Sequence, residues 1–389
     1  MHSELYDAGE HAPCAAIPFD PSAAQHFIER TIAAADEAFH PATFWPLHPE
    51  DQYGEHDPPA VGVYNGAAGT IWALTRLAAR YGVTLRSDYA SALAKIEGEL
   101  RDTGAVPSYS MGTGGVAFVR YALFGDEEAL QRCMADARAN SDNPTREFLW
   151  GAPGTSIPAL LLHERGDRRF DAELAHVQDV LWSQWDTATE LWTQDMYGQE
   201  RRFVGAGHGA AGNVAVFLRA PDLLPVDRRE QLFARIESLL ERYALFDGSA
   251  RNWWSLALPE FGNRLQWCHG APGIVMSLRS LPRNERIDAL LAQAGAAIER
   301  AGPLKKGPGI CHGTAGNGFA LLYLAARTGD ERWLDAARRF AAHAIEQTPR
   351  WVRESGMHSA SLMTGETGVA LFIDAVLRND AALLSIDTM

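Results

Sequence analysis

Residues 311–324 read CHGTAGNGFALLYL, a Gly-x-x-Gly element at 313–316 that leads into the apolar run FALLYL. The same arrangement, always with an apolar sequel, occurs seven times along the 389-residue chain. The first glycines of the seven elements are Gly66, Gly112, Gly151, Gly209, Gly270, Gly313 and Gly365. Successive elements lie 39 (112 to 151) to 61 (209 to 270) residues apart, enough for two helices and their connections. Such self-similarity indicates a repeat architecture.

The segments between the elements have a different pattern. Residues 227–246, DRREQLFARIESLLERYALF, place apolar side chains at 232, 233, 236, 239, 240 and 243, one face of a helix. The run after each element is instead apolar on nearly every face, which is typical of a helix buried all round. Seven outer helices alternating with seven inner helices predict an all-α, (α/α)7 toroid. Because glycine permits close backbone approach, we expect the elements to form the turns that open the inner helices.

The composition disfavours several classes of partner. The formal net charge is −14, whereas nucleic acids and anionic membranes require clustered Lys and Arg. No apolar stretch reaches the 18 residues of a membrane span, and the N-terminus lacks the pattern of a secretory signal. Four cysteines are too few for a disulfide framework, which favours a reducing cytoplasm.

The repeats also predict the domain organisation. Units of this kind bury a core only as a set, so we expect residues 21–389 to form one domain. Residues 1–20 contain no motif that we can interpret, and we expect them to be flexible or to fold over the barrel mouth. The absence of a heptad stripe favours a monomer.

Two of the elements follow a Cys-His pair: WCHGAPG holds Cys268 and His269, and GICHGTAG holds Cys311 and His312. Because these are neighbouring repeats, their turns should adjoin on one rim and bring the two thiols together, with a histidine available from either pair. Two cysteines and one histidine are a known zinc-ligand set that leaves a fourth position for water or substrate. Soft thiolates favour zinc over magnesium or calcium.

These motifs resemble those of the LanC lanthionine cyclases, and more closely those of their stand-alone LanC-like relatives, which bind glutathione. The resemblance runs from about residue 60 to the end of the chain. In that family the ligands are the two cysteines and the histidine after the second one, which implies one zinc ion held by Cys268, Cys311 and His312. It also implies that His269 is an active-site neighbour and not a ligand.

The resemblance assigns roles to further residues. His208, in GAGHGAAG, matches the active-site histidine of the family and implies proton transfer from the thiol or to the enolate. Arg264, in NRLQWC, matches an arginine of the cyclases that could steady the enolate or a carboxylate. Lys306, in KKGPGIC, resembles a lysine that LanC-like proteins use near glutathione.

The implied reaction is the addition of a thiol to dehydroalanine or dehydrobutyrine in a peptide or protein, which forms a thioether. Zinc would lower the pKa of the thiol, which is either glutathione or a peptide cysteine. Glu147, His269 and Lys306, assigned to substrate binding, favour glutathione. Glu147 stands where the cyclases have aspartate, as in the LanC-like branch.

Other functions fit the same residues. A lanthionine cyclase that acts on a peptide dehydrated by a separate enzyme would use the same centre. A zinc- or glutathione-binding scaffold without turnover would keep the ligands but would not require His208 or Arg264. Sugar epimerases and glycosidases of this fold use paired carboxylates, and none of the seven turns supplies an acidic pair.

Overall fold

The computed structural model describes residues 5–14, 17–52, 60–258 and 262–389. Of the N-terminal segment 1–20, residues 1–4 and 15–16 therefore lie outside the described residues. The outer helices are α1 (Pro21–Glu37), α3 (Tyr89–Asp102), α5 (Glu127–Ala139), α8 (Asp171–Ser183), α10 (Val226–Arg242), α12 (Glu285–Ala301) and α14 (Glu331–Ser355). The inner helices are α2 (Ala67–Tyr81), α4 (Thr113–Phe124), α6 (Ala152–Thr155) with α7 (Ile157–Glu164), α9 (Ala210–Arg219), α11 (Ala271–Ser277), α13 (Thr314–Thr328) and α15 (Glu366–Arg378).

The helices alternate in the predicted order and close into a ring. The first glycine of every element is the residue directly before an inner helix, so the elements do open these helices. α15 packs against α2, and α1 packs on both of them, which closes the ring between the seventh and the first repeat. The predicted (α/α)7 toroid is therefore confirmed. Among the described residues, every helix is too short or too polar to span a lipid bilayer.

Backbone hydrogen bonds link equivalent residues of neighbouring turns around one rim. Each of these residues lies two positions before the first glycine of its element, and its N–H donates to the carbonyl of the next repeat. The bonds run from Gly207 to Cys268 (3.2 Å), Cys268 to Cys311 (3.2 Å), Cys311 to Met363 (2.8 Å), Met363 to Tyr64 (2.9 Å) and Tyr64 to Ser110 (2.9 Å). Two equivalent positions of adjacent repeats therefore carry the two cysteines.

The second glycine of each element is required by close backbone packing. A Cβ atom at this position would lie well under 3.0 Å from the carbonyl oxygen of the residue six positions earlier. The positions that share this geometry are Gly69, Gly115, Gly154, Gly212, Gly273, Gly316 and Gly368. The first turn of each inner helix thus rests directly on the chain that enters it, which only glycine allows.

We expect Gly316→Ala to lower the free energy of unfolding by about 1–3 kcal/mol, because the added methyl group must displace the Ile310 carbonyl. Gly98→Ala is the matched control, since Gly98 lies inside α3 with open space around its Cα. That change should raise stability by about 0.5–1 kcal/mol through helix propensity. Urea denaturation of both variants measures the difference, and an equally harmless Gly316→Ala would contradict the packing argument.

Among the described residues, two short hairpins occur that the all-α prediction does not include. β1 (Gln194–Met196) pairs with β2 (Gln199–Arg201), and β3 (Ala244–Phe246) pairs with β4 (Arg251–Trp253). The predicted helix at 227–246 therefore ends at Arg242 and its last residues are a strand. The reason is the turn that follows: the Asp247 carboxylate accepts from the N–H groups of Ser249 (3.0 Å) and Ala250 (2.9 Å).

A buried carboxylate joins α3, α4 and α5. The side chain of Glu97 is 3% exposed and accepts hydrogen bonds from Arg101 (3.1 Å), Arg120 (2.6 Å) and Arg132 (2.6 Å). Burial alone would raise the pKa of Glu97, but the three guanidinium groups outweigh it and lower the pKa below its usual 4.5. The three helices are therefore held together by a charge that must stay ionised.

We expect Glu97→Gln to lower the free energy of unfolding by about 3–5 kcal/mol at neutral pH, because three cations lose their buried partner. A carboxyl with a lowered folded pKa stabilises above its unfolded pKa and loses that contribution as the pH falls. The gap between wild type and variant should thus shrink below pH 4.5. Urea denaturation at neutral pH and below pH 4.5 measures the gap in the free energy of unfolding. Glu99→Gln, which changes an exposed carboxylate, serves as the control. A gap that is independent of pH would contradict the account.

Candidate active site

The two cysteines of the CHG motifs lie side by side on adjacent turns. Cys268 and Cys311 are both buried, and the backbone N–H of Cys268 donates to the carbonyl of Cys311 (3.2 Å). Their thiols hydrogen-bond to each other. The Nε2 of Gln266 also donates to the sulfur of Cys268 (2.9 Å), and the hydroxyl of Tyr64 hydrogen-bonds to Cys311. The structure thus brings together the pair that the repeat order predicts.

The pair differs in acidity. The hydrogen bond from Cys311 lowers the pKa of Cys268 to about 7 against the opposing effect of burial, with help from the charge of His208 and from Gln266. Burial, and then the neighbouring Cys268, raises the pKa of Cys311 well above its usual value. One proton of the pair is therefore lost readily and the second is not. Holding both as thiolates requires a compensating positive charge.

His312 follows Cys311 and has the protonation state of a metal ligand. Burial first, and then the charges of Lys306 and Arg264, lower the pKa of His312 to about 3, so its imidazole is neutral at physiological pH. Within the described parts of the chain, no three His, Cys, Asp or Glu side chains are grouped closely enough to hold a metal ion. The thiol pair supplies two donors, and the neutral imidazole of His312, which follows Cys311 in the same turn, would supply a third. The donor chemistry fits a thiophilic divalent metal.

A histidine–carboxylate pair lies beside the thiols. The Nδ1 of His208 is 3.0 Å from Oε2 of Glu147, whose side chain is 0% exposed. Glu147 is held in turn by the N–H groups of Leu149 (2.9 Å) and Trp150 (2.6 Å). Burial lowers the pKa of His208, but Glu147 and the nearby Cys268 outweigh it, so the pKa is raised. With Nδ1–H donating to the carboxylate, Nε2 is the nitrogen left for substrate.

His269 completes a row of aromatic rings at the same rim. Its ring centroid lies 5.5 Å from that of His208 and 5.6 Å from that of Phe203. The ring is buried and its Nδ1 has no hydrogen-bond partner among the described residues. Burial, followed by the charges of His208, Arg264 and His312, lowers the pKa of His269 well below its usual value. His269 therefore lines the site as a neutral imidazole ring.

Two exposed cations stand at the entrance. Arg264 and Lys306 line a pocket of about 310 Å³ that is also lined by Gln266, the partner of the Cys268 sulfur. The charge of Arg264 reaches Cys268 and His208. The backbone of Arg264 is anchored by its N–H, which donates to the Ser255 hydroxyl (3.2 Å). The predicted cation Arg264 is thus close enough to act on Cys268, and Gln266 adjoins both the pocket and the thiol pair.

Three residues of the site were not predicted from the sequence. Tyr64 occupies in the first repeat the position that the cysteines occupy in the fifth and sixth, so an alignment of the repeats contains the signal. No pattern in the sequence marks Gln266 as a site residue. Asp51 lies before the first element; its Oδ2 accepts from the Thr364 hydroxyl (2.6 Å), and burial raises its pKa.

The fold and this rim define the class: a helical toroid with a buried thiol pair and a histidine–carboxylate pair at one end. The model of the family described as lanthionine synthetase C-like protein matches residues 58–388, and the chain belongs to this family. The family indicated by the CHG motifs is thereby confirmed.

Individual relatives agree with this assignment. The chain is 29% identical over 191 residues to "Glutathione S-transferase LANCL1" of Danio rerio, which covers 46% of this chain and 44% of that protein. It is 30% identical over 195 residues to "LanC-like protein GCL1" of Arabidopsis thaliana, which covers 45% and 41%. The matches thus span less than half the length of these curated relatives. The solved structure of nisin cyclase superposes with a TM-score of 0.63 at 16% identity, over 90% of this chain and 93% of that one, and shows the same fold.

Proposed function

We propose that this chain is a zinc-dependent enzyme that adds the thiol of glutathione to dehydroalanine or dehydrobutyrine residues of a peptide or protein, which forms a thioether. The observation that carries the proposal is the juxtaposition of the buried Cys268–Cys311 pair with the His208–Glu147 pair on neighbouring turns. The name of the Danio rerio relative, a glutathione S-transferase, supports glutathione as the thiol.

One zinc ion per chain would be held by Cys268, Cys311 and His312, and it would keep a bound substrate thiol as a thiolate near neutral pH. The chain prepares this site in two ways. The thiol pair already releases one proton readily, and the imidazole of His312 is kept neutral by burial. His269 stays outside the ligand set and walls the site beside His208.

His208 is proposed to move the proton. In the addition a bond forms between the sulfur and the β-carbon, and the double-bond electrons shift to give an enolate, whose α-carbon must then take up a proton. Nε2 of His208 can receive the thiol proton and return it to that carbon, so no oxidant or other reactant is consumed. Glu147 fixes the ring and stabilises its protonated form through Nδ1 (3.0 Å). Glu147 therefore acts on the substrate through His208, whose ring it positions.

Arg264 and Lys306 are proposed to bind the carboxylates of glutathione at the pocket entrance. Both are exposed cations that line the same cavity, and neither forms an ion pair with a described side chain. The position of Arg264 also allows its charge to act on the rim where the enolate would form, since it already influences Cys268 and His208.

The test uses a peptide that contains one dehydroalanine and one cysteine, incubated with the chain, zinc and glutathione. Intermolecular addition gives a product heavier by one glutathione that retains a thiol for alkylation. Ring closure leaves the mass unchanged and removes that thiol. We expect the glutathione adduct, formed faster than without protein. Ring closure alone would identify a lanthionine cyclase, and neither product from a zinc-loaded chain would identify a binding scaffold.

The proposal also covers the cellular location and the oligomeric state of the enzyme. All four cysteines are free thiols, which suits a reducing cytoplasm. We propose a monomer in which residues 21–389 form one domain, since the ring closes within the chain through the Met363–Tyr64 hydrogen bond.

A further inference from the structure

The N-terminal segment forms a wall of the substrate pocket. Its residues 5–12 are anchored at both ends: the carbonyl of Leu5 accepts from the Asn252 side chain (2.6 Å), and the N–H of Ala12 donates to the Pro303 carbonyl (2.9 Å). Between them, the N–H of Lys305 donates to the carbonyl of Glu10 (2.9 Å). These hydrogen bonds hold the segment against the loops that contain Asn252, Pro303 and Lys305.

Charges of both signs line this pocket. Asp7 and Glu10 of the N-terminal segment line it together with Arg264 and Lys306, around a volume of about 310 Å³. Within the described residues, none of the four forms an ion pair with another side chain. Among the described residues, the Asp7 carboxylate accepts only from the N–H of Gly9 (2.8 Å) in its own turn. A cavity with unpaired charges of both signs is complementary to a zwitterion.

Gln266 adjoins both the pocket and the thiol pair, because it lines the pocket and its Nε2 donates to the sulfur of Cys268 (2.9 Å). A zwitterionic thiol bound there would lie next to Gln266, the residue that donates to Cys268. Glutathione has this pattern, with two carboxylates and one α-ammonium group. The cations account for its carboxylates, and Asp7 and Glu10 are the only acidic side chains among the residues that line the pocket.

Building on the proposed function, we infer that Asp7 and Glu10 bind the α-ammonium group of the thiol substrate and so select glutathione over thiols that lack this group. They are specificity residues supplied by a segment that lies outside the seven repeats. Removing their charges should affect ammonium-bearing ligands and leave other ligands unaffected, since both side chains are exposed and take no part in the core.

Calorimetric binding tests this without any turnover. The probes are S-methylglutathione and the S-methyl derivative of glutaryl-cysteinyl-glycine, which differs only by lacking the α-amino group. We expect the wild type to bind S-methylglutathione about tenfold more tightly, the strength of a charge-assisted hydrogen bond. The double variant Asp7→Asn/Glu10→Gln should bind both probes equally, with the affinity that the wild type has for the deamino probe.

Glu37→Gln, which removes one exposed charge from the end of α1, is the matched control and should keep the tenfold preference. Equal affinity of the wild type for the two probes, no binding of either, or a preference that survives in the double variant would each overturn the inference. A preference that behaves as expected while no thioether forms from glutathione would contradict the proposed reaction and leave this assignment intact.

Discussion

Replacing Cys311 by alanine is expected to abolish the proposed zinc binding and to reduce thioether formation to the uncatalysed rate, measured without protein. Cys311 supplies one of two thiols in contact, and the remaining donors, Cys268 and His312, are too few to hold a zinc ion in a three-ligand protein site. The fold should persist, since the links of this turn to Met363 and to Cys268 are backbone hydrogen bonds that alanine retains. Zinc per chain, measured by atomic emission after dialysis, is the direct readout.

Cys14→Ala is the matched control, because Cys14 is a half-buried free thiol in the N-terminal segment and is not part of the pair. It should keep both the metal and the activity. A Cys311→Ala variant that retains one zinc per chain would contradict the ligand assignment, whatever its activity.

Replacing His208 by asparagine is expected to lower kcat/KM for glutathione addition by about 10²–10⁴-fold while zinc stays bound. The variant lacks the nitrogen that exchanges the proton, whereas the thiol pair and its hydrogen bond from Gln266 remain. Glu147→Gln should cost less, since the ring of His208 remains and only its charged partner at 3.0 Å is lost. Initial rates with a dehydroalanine peptide, together with zinc content, measure both variants.

His343→Asn provides the control for His208, because His343 is a histidine of the outer helix α14. Its activity should match the wild type. An unchanged rate in His208→Asn would exclude His208 from proton transfer, and a loss of zinc in that variant would mean that it acts through the metal site instead.

The fold is predictable from the sequence because its main constraint is local. At Gly316 and its six counterparts, a helix starts so close to the preceding backbone that no side chain fits, and this requirement repeats in the sequence. The thiol pair is predictable for the same reason: Cys268 and Cys311 occupy equivalent positions in consecutive repeats, and consecutive repeats are neighbours in space.

The rest of the site depends on contacts between distant segments. Tyr64 reaches Cys311 only because the ring closes, which brings the first repeat next to the seventh. Glu147 was predicted as a site residue, but its hydrogen bond to His208 depends on the third turn lying beside the fourth. The placement of residues 5–12 beside Lys305 follows from a bridge to the loop before α13, and no periodic pattern in the sequence records it.

The most direct test of the central claim is the mass of a cysteine-free dehydroalanine peptide after incubation with the zinc-loaded chain and glutathione. We expect a gain of one glutathione per dehydroalanine, formed faster than in a control without protein and lost in His208→Asn. No mass gain above that control, from a folded chain that contains its zinc, would contradict the claim that this toroid catalyses thiol addition.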